Sequence, residues 1–142
     1  MSARTFVDTN VLIYAYDLDA GSKHEKAKAI LRQLWSERAG VVSLQVLQEF
    51  YVNATRKIPK PLTKDSARLV VESYGRWCVQ IAPADLFRAF RIEDESKLNF
   101  WDALIISSAV RSGANRILSE DLNAGQSIAG VLVENPFPSP KR

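Results

Sequence analysis

A chain of 142 residues with 46% hydrophobic and 25% charged content has the size and balance of one soluble globular domain. Its formal net charge of +3 suits a polyanionic partner without demanding one, a single cysteine excludes an internal disulfide, and one histidine with one cysteine excludes a structural zinc site. The apolar run 11–16 is too short to span a bilayer and no signal-peptide pattern precedes it, so a reducing cytoplasmic setting with no membrane partner is expected.

Phe6 and Val7 read as a short strand ending at Asp8, Thr9 and Asn10, whose polar side chains suit the start of a buried helix through Val11, Leu12, Ile13 and Tyr14. Ser22 and Glu25 have capping-box spacing, and Ala27, Ile30, Leu31, Leu34 and Trp35 repeat with helical period up to Gly40, a natural stop. Val41 and Val42 form a brief strand. Ser43 then caps a helix whose inward face is expected to include Leu44, Leu47, Phe50, Tyr51 and Ala54, and Glu49 lies within it. Pro59 and Pro61 interrupt the pattern before a helix from Thr63 to Tyr74, followed by a strand over 78–81 and a helix opened by Pro83. A helix starting near Asn99 carries Asp102 in its first turn and ends at Gly113. Residues 116–118 form a strand delivering Ser119, Glu120 and Asp121, and 131–133 form the last strand before a proline-containing tail, from about residue 136, expected to be loose. Short apolar strands alternating with helices imply an α/β sandwich around a short, mainly parallel sheet of about five strands.

The acids follow this frame. Asp8 and Asp121 each fall at or close to the end of an apolar strand, and the ligand crevice of an open parallel sheet lies outside those carboxyl ends. Asp8 is enclosed by apolar neighbours, where an unpaired carboxylate is costly without a role. Asp102 has a second explanation, complementing its helix dipole, and Glu49 a second as a helix-surface acid. Spacing alone leaves open which of Glu120 and Asp121 faces the crevice. Gathered together, four carboxylates repel unless a hard cation neutralises them, which points to Mg²⁺ or Mn²⁺. His24, in a lysine-rich helical stretch, reads as solvated, and Cys78, Trp35, Trp77 and Trp101 as core.

Four stretches of the chain, in order, resemble the acidic motifs of the PIN-domain family, in particular the ribonuclease toxins of VapBC-type toxin-antitoxin modules. These are Phe6-Val7-Asp8-Thr9-Asn10-Val11-Leu12, Leu47-Gln48-Glu49-Phe50-Tyr51, Phe100-Trp101-Asp102-Ala103-Leu104 and Leu118-Ser119-Glu120-Asp121-Leu122. The resemblance implies a three-layer α/β/α fold, one PIN domain over residues 1–142, and a metal-dependent ribonuclease. It raises Glu49 and Asp102 to functional residues, favours Asp121 over Glu120, and makes Asn10 and Ser119 supporting polar residues. Asp8, Asp102 and Asp121 are then the expected metal ligands, with Glu49 a ligand or the group that orients the attacking water; one and two metal ions remain alternatives.

An RNA substrate, a cognate antitoxin and a homodimer are the partners the resemblance implies. A housekeeping nuclease of RNA processing and a non-catalytic RNA-binding or scaffold PIN domain are the competing readings. A dehalogenase-like phosphatase needs a second acid where Asn10 stands, and a receiver domain needs an aspartate where Ala82 and Pro83 follow the third strand. The most concentrated basic stretch, with Arg56, Lys57 and Lys60 on a proline-stiffened loop, is the candidate RNA grip.

Overall fold

The alternation of strands and helices is present in the computed structural model, which describes residues 3–138. In chain order these are β1 (Arg4–Val7), α1 (Thr9–Tyr14), α2 (Ser22–Glu37), β2 (Gly40–Ser43), α3 (Leu44–Arg56), α4 (Lys64–Tyr74), a 3₁₀ turn at Gly75–Trp77, and β3 (Cys78–Val79). They continue with α5 (Pro83–Ser96), α6 (Phe100–Arg111), β4 (Ala114–Leu118), β5 (Ser127–Ile128) and β6 (Val131–Glu134). The sheet runs β3-β2-β1-β4-β6-β5, with every neighbouring pair parallel except β5 and β6. It therefore has six strands where about five were expected; the addition, β5, is a two-residue strand too short to leave a hydrophobic pattern.

Consecutive residues of a strand point to opposite faces, and Phe6 and Val7 are both fully enclosed, so helices cover both faces of β1. Val42, Ile117 and Val133 continue this core across the neighbouring strands. Among the described residues no helix is long and apolar enough to cross a membrane.

Several local expectations change. The N-cap of α2 is Gly21, not Ser22, so the spacing of Ser22 and Glu25 produces no capping box. The same helix ends at Arg38 in the left-handed conformation (φ 55°), two residues before the expected stop. Gly40 instead opens β2, where its bare Cα lies against the Trp77 ring: a Cβ there would stand 2.5 Å from the indole. Gly40→Ala is thus expected to destabilise the chain by about 1–3 kcal/mol, the usual scale for overpacking. Urea unfolding would measure it, and an unchanged midpoint would show that the indole swings aside freely.

Leu44 and Trp101 are 58% and 62% exposed and Trp35 is 40% exposed, so of the three tryptophans only Trp77 is core. Strand β3 stops at Val79, before Ile81. The tail is anchored as far as Phe137, which is buried edge-on to Tyr14 with ring centroids 5.1 Å apart; Pro140 lies outside the described residues.

Asp85, which the sequence does not single out, fastens α5 to α6. Wholly buried, it accepts the Ala82 N–H (2.7 Å) and an Arg88 N–H (2.8 Å), lies 3.6 Å from Arg111, and its backbone carbonyl accepts the Ser107 hydroxyl (2.7 Å). Burial alone pushes its pKa up, but the Ala82 N–H and the two guanidinium groups outweigh it and hold the carboxyl below the usual range. This clamp sets the position of α6, and with it Asp102.

Candidate active site

β1 and β4 lie side by side at the centre of the sheet, and from β1 the chain proceeds first to β2 and β3 on one side, then to β4 and β6 on the other. Their carboxyl ends thus flank a topological switch point, where an open α/β sheet leaves a crevice. Asp8 leaves β1 there and Ser119 leaves β4. The Asp8 N–H bonds the Leu118 carbonyl (3.0 Å), continuing the ladder to the crevice rim, so the Asp8 side chain emerges from rigid backbone.

The Asp8 carboxylate accepts the Thr9 N–H (2.7 Å) on one oxygen, capping α1, and the Ser119 hydroxyl (2.7 Å) on the other. Although both bonds favour the charged form, the pKa of Asp8 is raised from 3.8 to about 6. Burial is the larger cause, aided by the negative charges of Asp121 and Glu49. Asp102 is half-buried in the first turn of α6, where Asn99 both caps the helix and donates its amide to the Asp102 carboxylate (2.8 Å). Its pKa is also raised, by burial and then by Asp121 and Glu49. Glu49 reaches the crevice from α3, with one oxygen accepting the Thr9 hydroxyl (2.9 Å) and the other the Gln45 amide (2.8 Å). The exposed Asp121 accepts the Asn10 amide (3.1 Å).

Glu120 and Asp121 part company here. The Glu120 carboxylate turns away to Lys23 (2.7 Å) and the Tyr14 hydroxyl, and despite the opposing effect of burial these two hold its pKa below the ordinary range. Asn10 keeps the loop in place, its side-chain oxygen accepting the Glu120 N–H (3.2 Å) while its amide donates to Asp121. Ser119 does likewise from within, its oxygen accepting the N–H groups of Asp121 (3.2 Å) and Leu122 (3.3 Å).

Asp8 and Asp102 thus each feel the negative charges of Asp121 and Glu49, and Asn10 and Ser119 orient two of these four acids. Among the described residues none of the four is in an ion pair. Nor, among those residues, do three acidic, histidine or cysteine side chains converge tightly enough to hold a metal ion alone. The arrangement is an open, all-oxygen crevice rather than a closed cage. A hard divalent cation fits such a donor set, since Mg²⁺ commonly takes one or two carboxylates and completes its shell with water and phosphate oxygens.

Sequence reasoning missed Thr9, Gln45 and Asn99 as orienting residues. Asn99 had a legible signal, an N-cap residue three places before an acid, and so did Gln45, one helical turn before Glu49 in α3; Thr9 acts across elements and had none. Gln45 also donates to the Trp101 carbonyl (3.5 Å), while its own oxygen is buried without a donor. His24 is half-buried rather than solvated, its Nδ1 2.9 Å from the Tyr14 carbonyl. Arg56, Lys57 and Lys60 are exposed at and beyond the far end of α3, and Lys60 lies 3.8 Å from Asp19. None of the three contacts the acidic crevice through a hydrogen bond or ion pair.

Comparison with known proteins gives a consistent picture. The PIN-domain sequence profile matches residues 5–126. No curated protein sequence matches the chain. Among solved structures, a toxin-antitoxin complex from Klebsiella pneumoniae aligns with TM-score 0.66 at 23% identity, over 96% of this chain and 98% of that one. A DNA-bound VapBC from Salmonella typhimurium aligns with TM-score 0.68 at 17% identity, over 96% and 100% of the two chains. A VapC from Mycobacterium tuberculosis, described as a Sarcin-Ricin loop cleaving toxin, aligns with TM-score 0.59 at 16% identity, over 82% and 89%. At these identities the structural likeness establishes the fold.

Proposed function

This chain belongs to the PIN-domain family, and from that premise we propose that it is a metal-dependent ribonuclease serving as the toxin of a toxin-antitoxin pair. The observation that carries the reading is a contrast within one crevice: among the described residues four acids have no cationic partner, while the adjacent Glu120 is neutralised by Lys23. Leaving carboxylates unpaired at a sheet's switch point is costly, and a cation with an anionic substrate offsets that cost.

Mg²⁺ or Mn²⁺ bound by Asp8 and Asp102, with Asp121 reaching it through water or serving a second ion, would offset the charge of the scissile phosphate and acidify a water. The chain's own residues provide the rest. Thr9 and Ser119 fix Asp8 in one rotamer, Asn99 fixes Asp102, and Asn10 fixes Asp121. Glu49, gripped by Thr9 and Gln45, is the group that orients the attacking water and accepts its proton. RNA as the substrate is supported by a structural neighbour described as a Sarcin-Ricin loop cleaving toxin, and intact acids favour catalysis over a scaffold role.

An antitoxin partner is supported by two structural neighbours solved as toxin-antitoxin assemblies. A guanidinium of such a partner, placed in the crevice, would satisfy the same carboxylates with forked hydrogen bonds and exclude the metal. The homodimer has support in the exposed Phe87, Phe90 and Trp101 on α5 and α6, an apolar surface that a second copy would cover. Expression of the chain alone should arrest growth of its host, and co-expression of the small protein encoded by the adjacent reading frame should restore it and copurify. Unimpeded growth on expression of active enzyme in a host lacking that neighbour would remove the toxin role while leaving the nuclease.

RNA grip is assigned to Arg56, Lys57 and Lys60, which begin seven residues past Glu49, or about 10 Å along the helix. Replacing all three with alanine should weaken RNA binding and flatten its salt dependence, because fewer counterions are released. Identical affinity and salt slope would place the grip elsewhere.

A further inference from the structure

The acidic crevice occupies the carboxyl ends of the strands, and a different chemistry occupies the amino ends. Arg4 begins β1, Gly40 begins β2 and Cys78 begins β3, and together they line a cavity of about 780 Å³. Its other walls include Trp35, Arg38, Arg76 and Trp77. Among the described residues no acidic side chain lines it.

The aromatic wall is built to stay in place. Trp77 lies on the bare Cα of Gly40 and is held by Tyr74 at 5.0 Å between centroids, edge to face, and by Trp35 at 5.4 Å, tilted by 37°. Trp77 is 9% exposed and Trp35 is 40% exposed, so Trp77 anchors the wall and Trp35 offers indole surface to an incoming ring. Around it stand three guanidinium groups. Arg4 donates to the Ser112 carbonyl (3.1 Å), which accounts for one of its donors. Arg38 and Arg76 make no side-chain hydrogen bond or ion pair among the described residues, although an arginine beside a helix end commonly does.

Guanidinium forks recognise phosphate oxygens in pairs, and an exposed indole stacks on a nucleobase. A cavity of several hundred cubic ångströms is the size that encloses most of a small ligand. We propose that this Arg4-Arg38-Arg76 and Trp35 cavity binds a nucleoside phosphate, with the base on the Trp35 indole and the phosphate between Arg38 and Arg76. The ligand is a free mononucleotide or one nucleotide of an RNA strand, since both present the same ring and the same anion. The site lies at the opposite end of the sheet from the acids and does not depend on the nuclease assignment.

The test uses tryptophan fluorescence of the full chain carrying Trp101→Phe, so that Trp35 and Trp77 report alone, with EDTA present to prevent cleavage. Adenosine 5′-monophosphate should quench the signal saturably, with adenosine and inorganic phosphate each binding at least tenfold more weakly. Arg38→Ala with Arg76→Ala should weaken the nucleotide at least tenfold while leaving the circular dichroism spectrum unchanged. Binding of a single-stranded oligoribonucleotide but not of the mononucleotide would identify RNA as the source, provided the same double variant weakens it. No saturable quenching by either probe, or quenching that the arginine replacements leave untouched, overturns the proposal. RNA cleavage measured in parallel on the protein without these replacements reports on the acidic crevice alone, so the two assignments fail separately.

Discussion

Asp8→Asn and Asp102→Asn should each lower RNA cleavage at least about 100-fold, the scale of losing one preorganised charge at a reacting phosphate. Both variants should fold. At position 8 asparagine keeps its oxygen for the Thr9 N–H and turns its amide to the Ser119 oxygen, so that bond reverses direction, and at position 102 it keeps an acceptor for the Asn99 amide. Glu49→Gln should fall comparably, because the group assigned to take the water's proton is lost. Glu120→Gln provides the contrast: its carboxylate belongs to Lys23 and Tyr14 rather than to the crevice, so cleavage should stay close to wild type. Ser119→Ala should show an intermediate loss of about 10–100-fold, as expected for a residue that orients a ligand without holding the metal itself. Wild-type cleavage by either aspartate variant would remove that residue from the site, and collapse of Glu120→Gln alone would reverse the assignment of Glu120 and Asp121.

The second large effect is on stability, and its sign is unusual for an aspartate. The pKa of Asp8 is about 6 in the folded chain against 3.8 as its ordinary value. An acid whose pKa rises on folding contributes stability that is present below the ordinary value and lost as pH rises through the folded one. Across that window the loss amounts to about 3 kcal/mol, of which roughly 1 kcal/mol falls between pH 5 and pH 7. Asp102 is shifted in the same direction and adds to it. Asp85 and Glu120 are shifted downward, so their contributions vanish only as pH falls below the ordinary carboxylate range, outside the interval where Asp8 titrates. Urea unfolding in EDTA should therefore show lower stability at pH 7 than at pH 5. Asp8→Asn should flatten this slope and exceed wild type at pH 7 by up to about 3 kcal/mol, converging with it near pH 4. A divalent cation should restore wild-type stability more at pH 7 than at pH 5. An Asp8→Asn protein less stable than wild type at pH 7 without metal would contradict the buried-repulsion picture.

The sequence carried the site further than it carried the surroundings, for physical reasons. An aspartate between apolar segments is legible because burying a carboxylate is expensive, and strand ends are legible because apolar runs stop there; hence Asp8 and the Ser119 to Asp121 loop stood out. Spacing left Glu120 and Asp121 open and only the family resemblance favoured Asp121; the physical reason, Lys23 drawing Glu120 away, lies 97 positions away along the chain and is visible only in three dimensions. The fastening of α5 to α6 by Asp85, Arg88, Arg111 and Ser107 was illegible for the same reason, as an acid in a helix's first turn reads as dipole complementation until its burial is seen. Gly40 was misread because a glycine after a helical pattern suggests a stop, whereas its use is to admit Trp77. Leu44, Trp35 and Trp101 were misplaced because periodicity assigns apolar residues to the core and does not reveal which apolar surfaces a chain leaves exposed.

In the proposed function these acids hold a divalent cation for RNA hydrolysis, and one assay tests that directly. Purified chain is incubated with end-labelled single-stranded RNA over a titration of Mg²⁺ or Mn²⁺, and again with EDTA. The predicted result is cleavage that rises saturably with the metal, disappears in EDTA and returns when metal is restored. Cleavage that persists undiminished in EDTA, or no cleavage of any RNA at saturating metal by folded protein, would contradict it.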